Sequence, residues 1–219
     1  QDTRQQHQNK RPTETKETSL PPTMSRTLTN ELLEFCRSES LSEEGLRELI
    51  CQPNYQHVGN YKFFRAACSN GLMTEGIIRC LLEYFPAAAS FTSTLGNTPL
   101  QVACLNKNVT PNIVQLLIDA APDSVRSVDQ DGYMPLNHLC INEELDERAA
   151  LEILKLLIEK HPDSIRHADN VGGFPIHCAA SGGKTPEFCR VLIEESPGSE
   201  RIAEVGGELP LHYASRIVP

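Results

Sequence analysis

The chain has 219 residues, of which 39% are hydrophobic and 5% aromatic, with no tryptophan and a net charge of −9. That is enough apolar material for a core, and the shortage of aromatics predicts an aliphatic core of small residues suited to closely stacked helices. The acidic balance disfavours nucleic-acid binding, because such a surface repels phosphate backbones; a protein partner with a basic face is favoured instead. No apolar run approaches the roughly 18 residues of a membrane helix, and no signal-peptide core is visible near the start. An intracellular, cytoplasmic location is therefore expected.

Residues 1–27 are polar and carry five Lys or Arg against three Asp or Glu, leaving about −11 for the remainder. They hold too little apolar surface to order themselves and predict a disordered tail. Residues 28–58 read as an amino-terminal helical cap or degenerate repeat. Leu32, Leu33 and Phe35, then Leu41, Leu46, Leu49 and Ile50, predict two short amphipathic helices joined near Ser38–Ser40. Ser42 followed by Glu43 and Glu44 marks the second helix start, and 54–59 reads as a polar linker.

From 59 to 219 the chain repeats. Prolines 99, 135, 175 and 210 each stand three residues after a glycine and before Leu or Ile, at intervals of 36, 40 and 35 residues. Such a period marks an array of stacked supersecondary units. The units run over about 60–95, 96–131, 132–171 and 172–206, with a partial one at 207–219. Each has a short first helix opening on a proline, a position where proline is preorganised; Phe63 replaces it in the first unit. A second helix follows, with an aliphatic cluster such as Leu116-Leu117-Ile118, and ends at Pro86, Pro122, Pro162 or Pro197. From each of these prolines to the next helix-starting one is always 13 residues, whereas the helical half varies over 23, 23, 27 and 22. The fixed connector predicts a projecting finger that stacks on its neighbours. Cys68, Cys104 and Cys140, 36 residues apart, occupy one place in successive units. That place is too widely spaced for disulfides and predicts buried, reduced thiols.

The motifs Asp129 to Leu136 (DQDGYMPL), Asp169 to Ala180 (DNVGGFPIHCAA) and Gly207 to Ala214 (GELPLHYA) resemble the ankyrin repeat, whose signature is D-x-x-G-x-T-P-L-H-x-A-A. The resemblance covers roughly 60–219. The units are diverged: they are longer than the family's 33 residues, and Phe63, Met134, Phe174 and Leu209 break its T-P pair. The fold expected is an all-α helical-repeat solenoid of helix-turn-helix units with finger-like connectors. The resemblance implies a non-catalytic scaffold or adaptor that binds another protein. Two other readings stand beside it: the regulatory repeat domain of a larger enzyme or channel, or a self-associating repeat protein. The last unit stops at Pro219 after its first helix, which reads as a fragment or a truncated repeat, and its apolar face would be Leu209, Leu211 and Ile217.

No catalytic, cofactor or metal site is expected. Ser181-Gly182-Gly183-Lys184-Thr185 echoes a phosphate-binding loop, but Cys178 stands where its first glycine belongs and the segment joins two helices. For His177 and His212 the resemblance implies a structural hydrogen bond near the helix start. Asn108-Val109-Thr110 reads as a chance glycosylation match. Mapped by motif, the family's contact surface falls on Asn97, Tyr133 and Glu208 after the finger glycines, and on Gln130, Asp131, Asn170 and Val171 before them. On the first helices it falls on Ser69, Asn70, Leu105, Asn106, Ile141, Asn142 and Ser181. Tyr133 is the favoured anchor, since aromatics carry much of an interface's energy. The extra residues of the long third unit are assigned to Ile141–Arg148, whose Glu143, Glu144, Asp146 and Glu147 form either a solvated extension or an acidic docking knob.

Overall fold

The computed structural model describes residues 22–51 and 61–217. The tail at 1–21 and the linker at 54–59 lie outside them. Among the described residues there are eleven α-helices and no β-strand. The inner row consists of α1 (Pro22–Arg37), α3 (Lys62–Ser69), α5 (Pro99–Cys104), α7 (Pro135–Ile141), α9 (Pro175–Ser181) and α11 (Pro210–Ile217), each packed on the next. The outer row is α2 (Glu43–Ile50), α4 (Glu75–Tyr84), α6 (Pro111–Ala120), α8 (Glu147–Lys160) and α10 (Pro186–Glu195). This is the two-layered helical solenoid that the repeat calls for.

The first pair differs from its expectation in length. α1 begins at Pro22, inside the stretch whose composition reads as tail, and α1 and α2 occupy the places of an inner and an outer helix against α3 and α4. Ser42 caps α2, its side chain accepting a hydrogen bond from the Gly45 backbone N–H.

Outer helices start on a repeated device. Thr74, Thr110, Asp146 and Thr185 each accept from the backbone N–H three residues on, satisfying one of the donors a helix start leaves open. The core between the rows is continuous and aliphatic: Leu81, Leu117 and Leu157 are buried on successive outer helices, and Ala67, Ala103 and Ala179 on inner ones. Cys36, Cys68, Cys104 and Cys140 are buried along the same core, and all eight cysteines are free thiols. Burial pushes the thiols of Cys36 and Cys104 up to about 12, so they pack as small neutral groups.

The 13-residue connector resolves into two parts. Each begins with a 3₁₀ turn, at Pro86–Ser90, Pro122–Arg126, Pro162–Arg166 and Ser199–Arg201. A finger follows. The asymmetry between fixed connector and variable helical half has a physical cause, since fingers must meet their neighbours in register while a helix can lengthen into solvent.

The third unit shows this, and corrects the sequence assignment. The cap Asp146 follows Pro135 by the same 11 residues that separate Thr110 from Pro99. The turn at 142–146 is therefore of ordinary length, and the added residues lie in α8, which has 14 residues against 10 in α6. Ile153, Leu154 and Leu157 of α8 are buried where α6 buries Ile113, Val114 and Leu117, so the extra turn lies at the amino end, where it buries Ala150 as well.

Candidate protein-binding surface

Each finger is built around one side chain. Asp129 Oδ1 accepts from the backbone N–H of Asp131 (3.0 Å) and of Tyr133 (2.9 Å), and Asp169 Oδ1 does the same with Val171 (2.9 Å) and Gly173 (2.8 Å). Ser93 and Glu204 serve the first and last fingers. The turn then needs a left-handed residue, supplied by Gly96, Gly132, Gly172 and Gly207 with φ of 80–82°. Stacking demands glycine as well: a Cβ on Gly132 would lie 2.9 Å from the backbone nitrogen of Asn170 in the next finger. Successive fingers are stitched by one backbone bond each, Gln130 N–H to Leu95 C=O (3.0 Å), Asn170 N–H to Asp131 C=O (3.1 Å) and Val205 N–H to Val171 C=O (2.8 Å).

A second set of bonds closes the start of four inner helices and, from α5 and α9, reaches the connector that follows. Gln101, Asn137, His177 and His212 stand two residues after the helix-starting proline, and each accepts from the backbone N–H just before that proline. Asn137 Nδ2 lies 3.6 Å from Cys178 Sγ of α9, and the other ends of Gln101 and His177 reach the next connector. Gln101 Nε2 donates to Tyr133 C=O (2.8 Å), and His177 Nε2 lies 3.0 Å from Ile202 C=O. Because His177 Nδ1 is the acceptor, Nε2 carries the proton and donates. The two histidines of the signature are thus structural in this chain. Tyr133 is half-buried, edge-on to His138 with ring centroids 5.8 Å apart, and burial pushes its hydroxyl up to about 12. It belongs to the packing of its finger more than to a free projecting anchor.

Three of the expected contact residues are corrected. Asn106 Nδ2 donates back to Cys68 C=O (2.9 Å) and Asn70 C=O (2.7 Å), and Asn142 Nδ2 to Cys104 C=O (2.9 Å) and Asn106 C=O (3.3 Å). Asn70 closes the series on Cys36 and Ser38 (3.0 and 2.9 Å). Their Oδ1 atoms accept from backbone N–H groups two residues on. Both ends of each amide are engaged, and Asn106 and Asn142 are buried, so these asparagines join unit to unit. In the fourth place stands Gly182, where a Cβ would sit 2.5 Å from Cys140 C=O; Lys184 Nζ donates to Asn142 C=O instead. That lysine is the one in the phosphate-loop echo, and Thr185 there caps α10. The loop is a helix–helix turn with its cation already engaged. The 36-residue recurrence of Asn two places after Cys was the sequence signal for this ladder.

What stays accessible falls in two rows, one at the finger tips and one at the far ends of the inner helices. Gln130, Asp131, Asn170 and Val171 are exposed at the finger tips, and Asn97 and Glu208 are half-buried. Ser69, Leu105 and Ser181 are exposed at the ends of inner helices, and Ile141 is half-buried. Of the supposed knob, Glu143 and Glu144 are exposed in the turn, Glu144 lying 4.0 Å from Lys107, while Asp146 caps α8 through its carboxylate. Composition did not point to one further feature. Between α1, α3 and α5 the inner face opens a groove of about 620 Å³ lined by Arg37, Ala66, Ser69 and Lys107 among others. A smaller hollow adjoining it adds Lys62 and Arg65. Among the described residues no cluster of His, Cys, Asp or Glu is arranged to hold a metal ion, and no helix is long and apolar enough to cross a membrane.

Stacked helix pairs, glycine-turned fingers and a proline-led inner helix define a helical-repeat solenoid, a class whose members present surfaces. Residues 63–163 match the family model of ankyrin repeats in three copies, and this part of the chain is an ankyrin-repeat array. The same finger turn and the same residue at the start of the inner helix continue through α9 and α11. No curated protein matches the chain. Ankyrin repeats are protein–protein interaction modules.

Proposed function

We propose that this protein is a non-catalytic, intracellular scaffold or adaptor that binds another protein along the strip of finger tips and inner-helix ends. The observation carrying this reading is the division of labour in each unit. Finger aspartates, inner-helix polar residues and inter-unit asparagines have their hydrogen-bonding capacity engaged internally, whereas Gln130, Asp131 and Val171 are left exposed in a row. Rigidly held surface of this kind loses little entropy on binding. The exposed carboxylates Asp131, Glu143 and Glu144 suit a basic partner region. The test is affinity capture with the wild-type chain and with Gln130→Ala/Asp131→Ala/Val171→Ala. A protein retained by the first and lost by the second supports the strip; equal capture by both counts against it.

Self-association has one observation in its favour. Leu211 is 73% exposed, whereas its counterparts Leu100, Leu136 and Ile176 are buried. Leu209 beside it is half-buried, and the Ile217 side chain lies outside the described ones. Sedimentation at rising concentration, with Leu211→Glu as the monomeric control, separates this reading from the first.

A further inference from the structure

Two connectors fill a slot on the unit before them with their main chain. Ser127 C=O accepts from Gln101 Nε2, while Gln130 N–H donates to Leu95 C=O. The pattern returns later in the array: Ile202 C=O accepts from His177 Nε2, and Val205 N–H donates to Val171 C=O. Each incoming segment thus offers a carbonyl at one residue and an N–H three residues on, with Ser127 and Ile202 in extended conformation. The connector between them keeps the N–H part alone, Asn170 to Asp131 C=O. The incoming backbone also closes on the finger glycine, since a Cβ on Gly96 would lie 3.0 Å from Asp129 Cα.

On the last described finger and α11 the same slot is open. Gly206 C=O stands where Leu95, Asp131 and Val171 accept from the next finger, and it accepts no hydrogen bond among the described residues. His212 Nδ1 is taken by the Leu209 backbone N–H, with Glu208 Oε2 at 3.2 Å, which leaves Nε2 with the proton and without an acceptor among the described residues. A Cβ on Gly207 would meet nothing within 4 Å. Apolar side chains of this finger, its connector and α11 are exposed as well, Val205 at 83%, Leu211 at 73% and Ile202 at 43%.

We propose that this open slot docks an extended segment of a partner protein, read through its main chain and carrying aliphatic side chains. The slot is separate from the finger tips and inner-helix ends, so either surface can fail without the other. The open groups select the occupant. One acceptor and one donor are matched by a single stretch of extended backbone, in the register that the chain's own connectors use, as in strand addition to an open ladder. A helix fits poorly, because its N–H and C=O groups are engaged along its own axis. A second copy fits poorly too, because its connectors at 127–130 and 202–205 already engage these same groups internally.

The probe is a synthetic peptide of residues 199–208, the connector that fills the equivalent slot on the preceding unit, titrated into the whole chain and followed by NMR. Saturable shifts are expected at 205–207 and on the His212 ring. N-methylation at the peptide's Val205 removes the N–H that the slot reads and should weaken binding about fivefold, the effect of one main-chain hydrogen bond. N-methylation at its Ala203 should leave binding unchanged. His212→Leu should weaken binding similarly, whereas His212→Gln should restore it, because Gln101 already performs both tasks at its own position. Equal affinity for the two methylated peptides would overturn the proposal, as would the absence of shifts at the last finger. Binding abolished by Gln130→Ala/Asp131→Ala would place the peptide on the finger tips and overturn the slot alone. A dimer in sedimentation that the peptide cannot displace would give this face to a second copy and overturn it too.

Discussion

At the scale of single residues, the same few side chains perform the same tasks in successive units, and their energetics can be separated. The asparagine ladder is the least obvious of these. Asn106→Ala removes two donors, from the buried Cys68 carbonyl and the half-buried Asn70 carbonyl, and should cost about 1–3 kcal/mol of stability. Urea unfolding measures it, with the exposed Asn112→Ala as the near-neutral comparison. His138 gives the array a pH dependence. Its Nε2 lies 2.9 Å from Asp129 Oδ2, but its Nδ1 is buried without a partner. Burial lowers its pKa and outweighs the attraction of Asp129, which acts the other way. Protons then bind the unfolded chain preferentially, so stability is retained above the ordinary imidazole value of about 6.5 and declines as pH falls through and below it. Thermal unfolding between pH 8 and 5, values spanning about that midpoint, should show this slope, and His138→Gln should flatten it.

Among the elements, α8 shows what repetition hides. Counting between prolines located the variable half of each unit, and the structure moves the extra residues from the turn into the helix. The count could not distinguish the two because both lie between the same fixed marks; only the alignment of Asp146 with Thr110 as caps separates them. The acidic residues of this region accordingly have unequal roles. Asp146→Ala should destabilise the chain by about 1 kcal/mol through the lost cap, while Glu143→Gln and Glu144→Gln should leave it within about 0.5 kcal/mol of wild type. Equal effects in urea unfolding would mean that the cap is unimportant. The finger was legible for a related reason: Asp129, Gly132 and Pro135 are each fixed by backbone geometry, and such residues leave a mark in sequence. Arg37, Lys62, Arg65 and Lys107 left none. They come from three separate elements, and only stacking brings them to one groove.

For the whole molecule, stability should be close to one-dimensional, because each unit contacts only its neighbours. Leu136 is 1% exposed between α7 and its neighbours. Leu136→Ala should cost about 2–5 kcal/mol and speed hydrogen exchange in the third unit and those flanking it, leaving α1 and α2 unchanged. Uniform acceleration would instead indicate a single cooperative core. The central functional claim concerns which surface of the array is read by a partner. Hydrogen exchange of the chain with and without a captured partner tests it most directly. Protection is expected at the inner-helix ends and finger tips, around 65–72, 105–107, 130–133 and 169–172, with α4, α6, α8 and α10 unaffected. Protection confined to the outer helices would contradict the account.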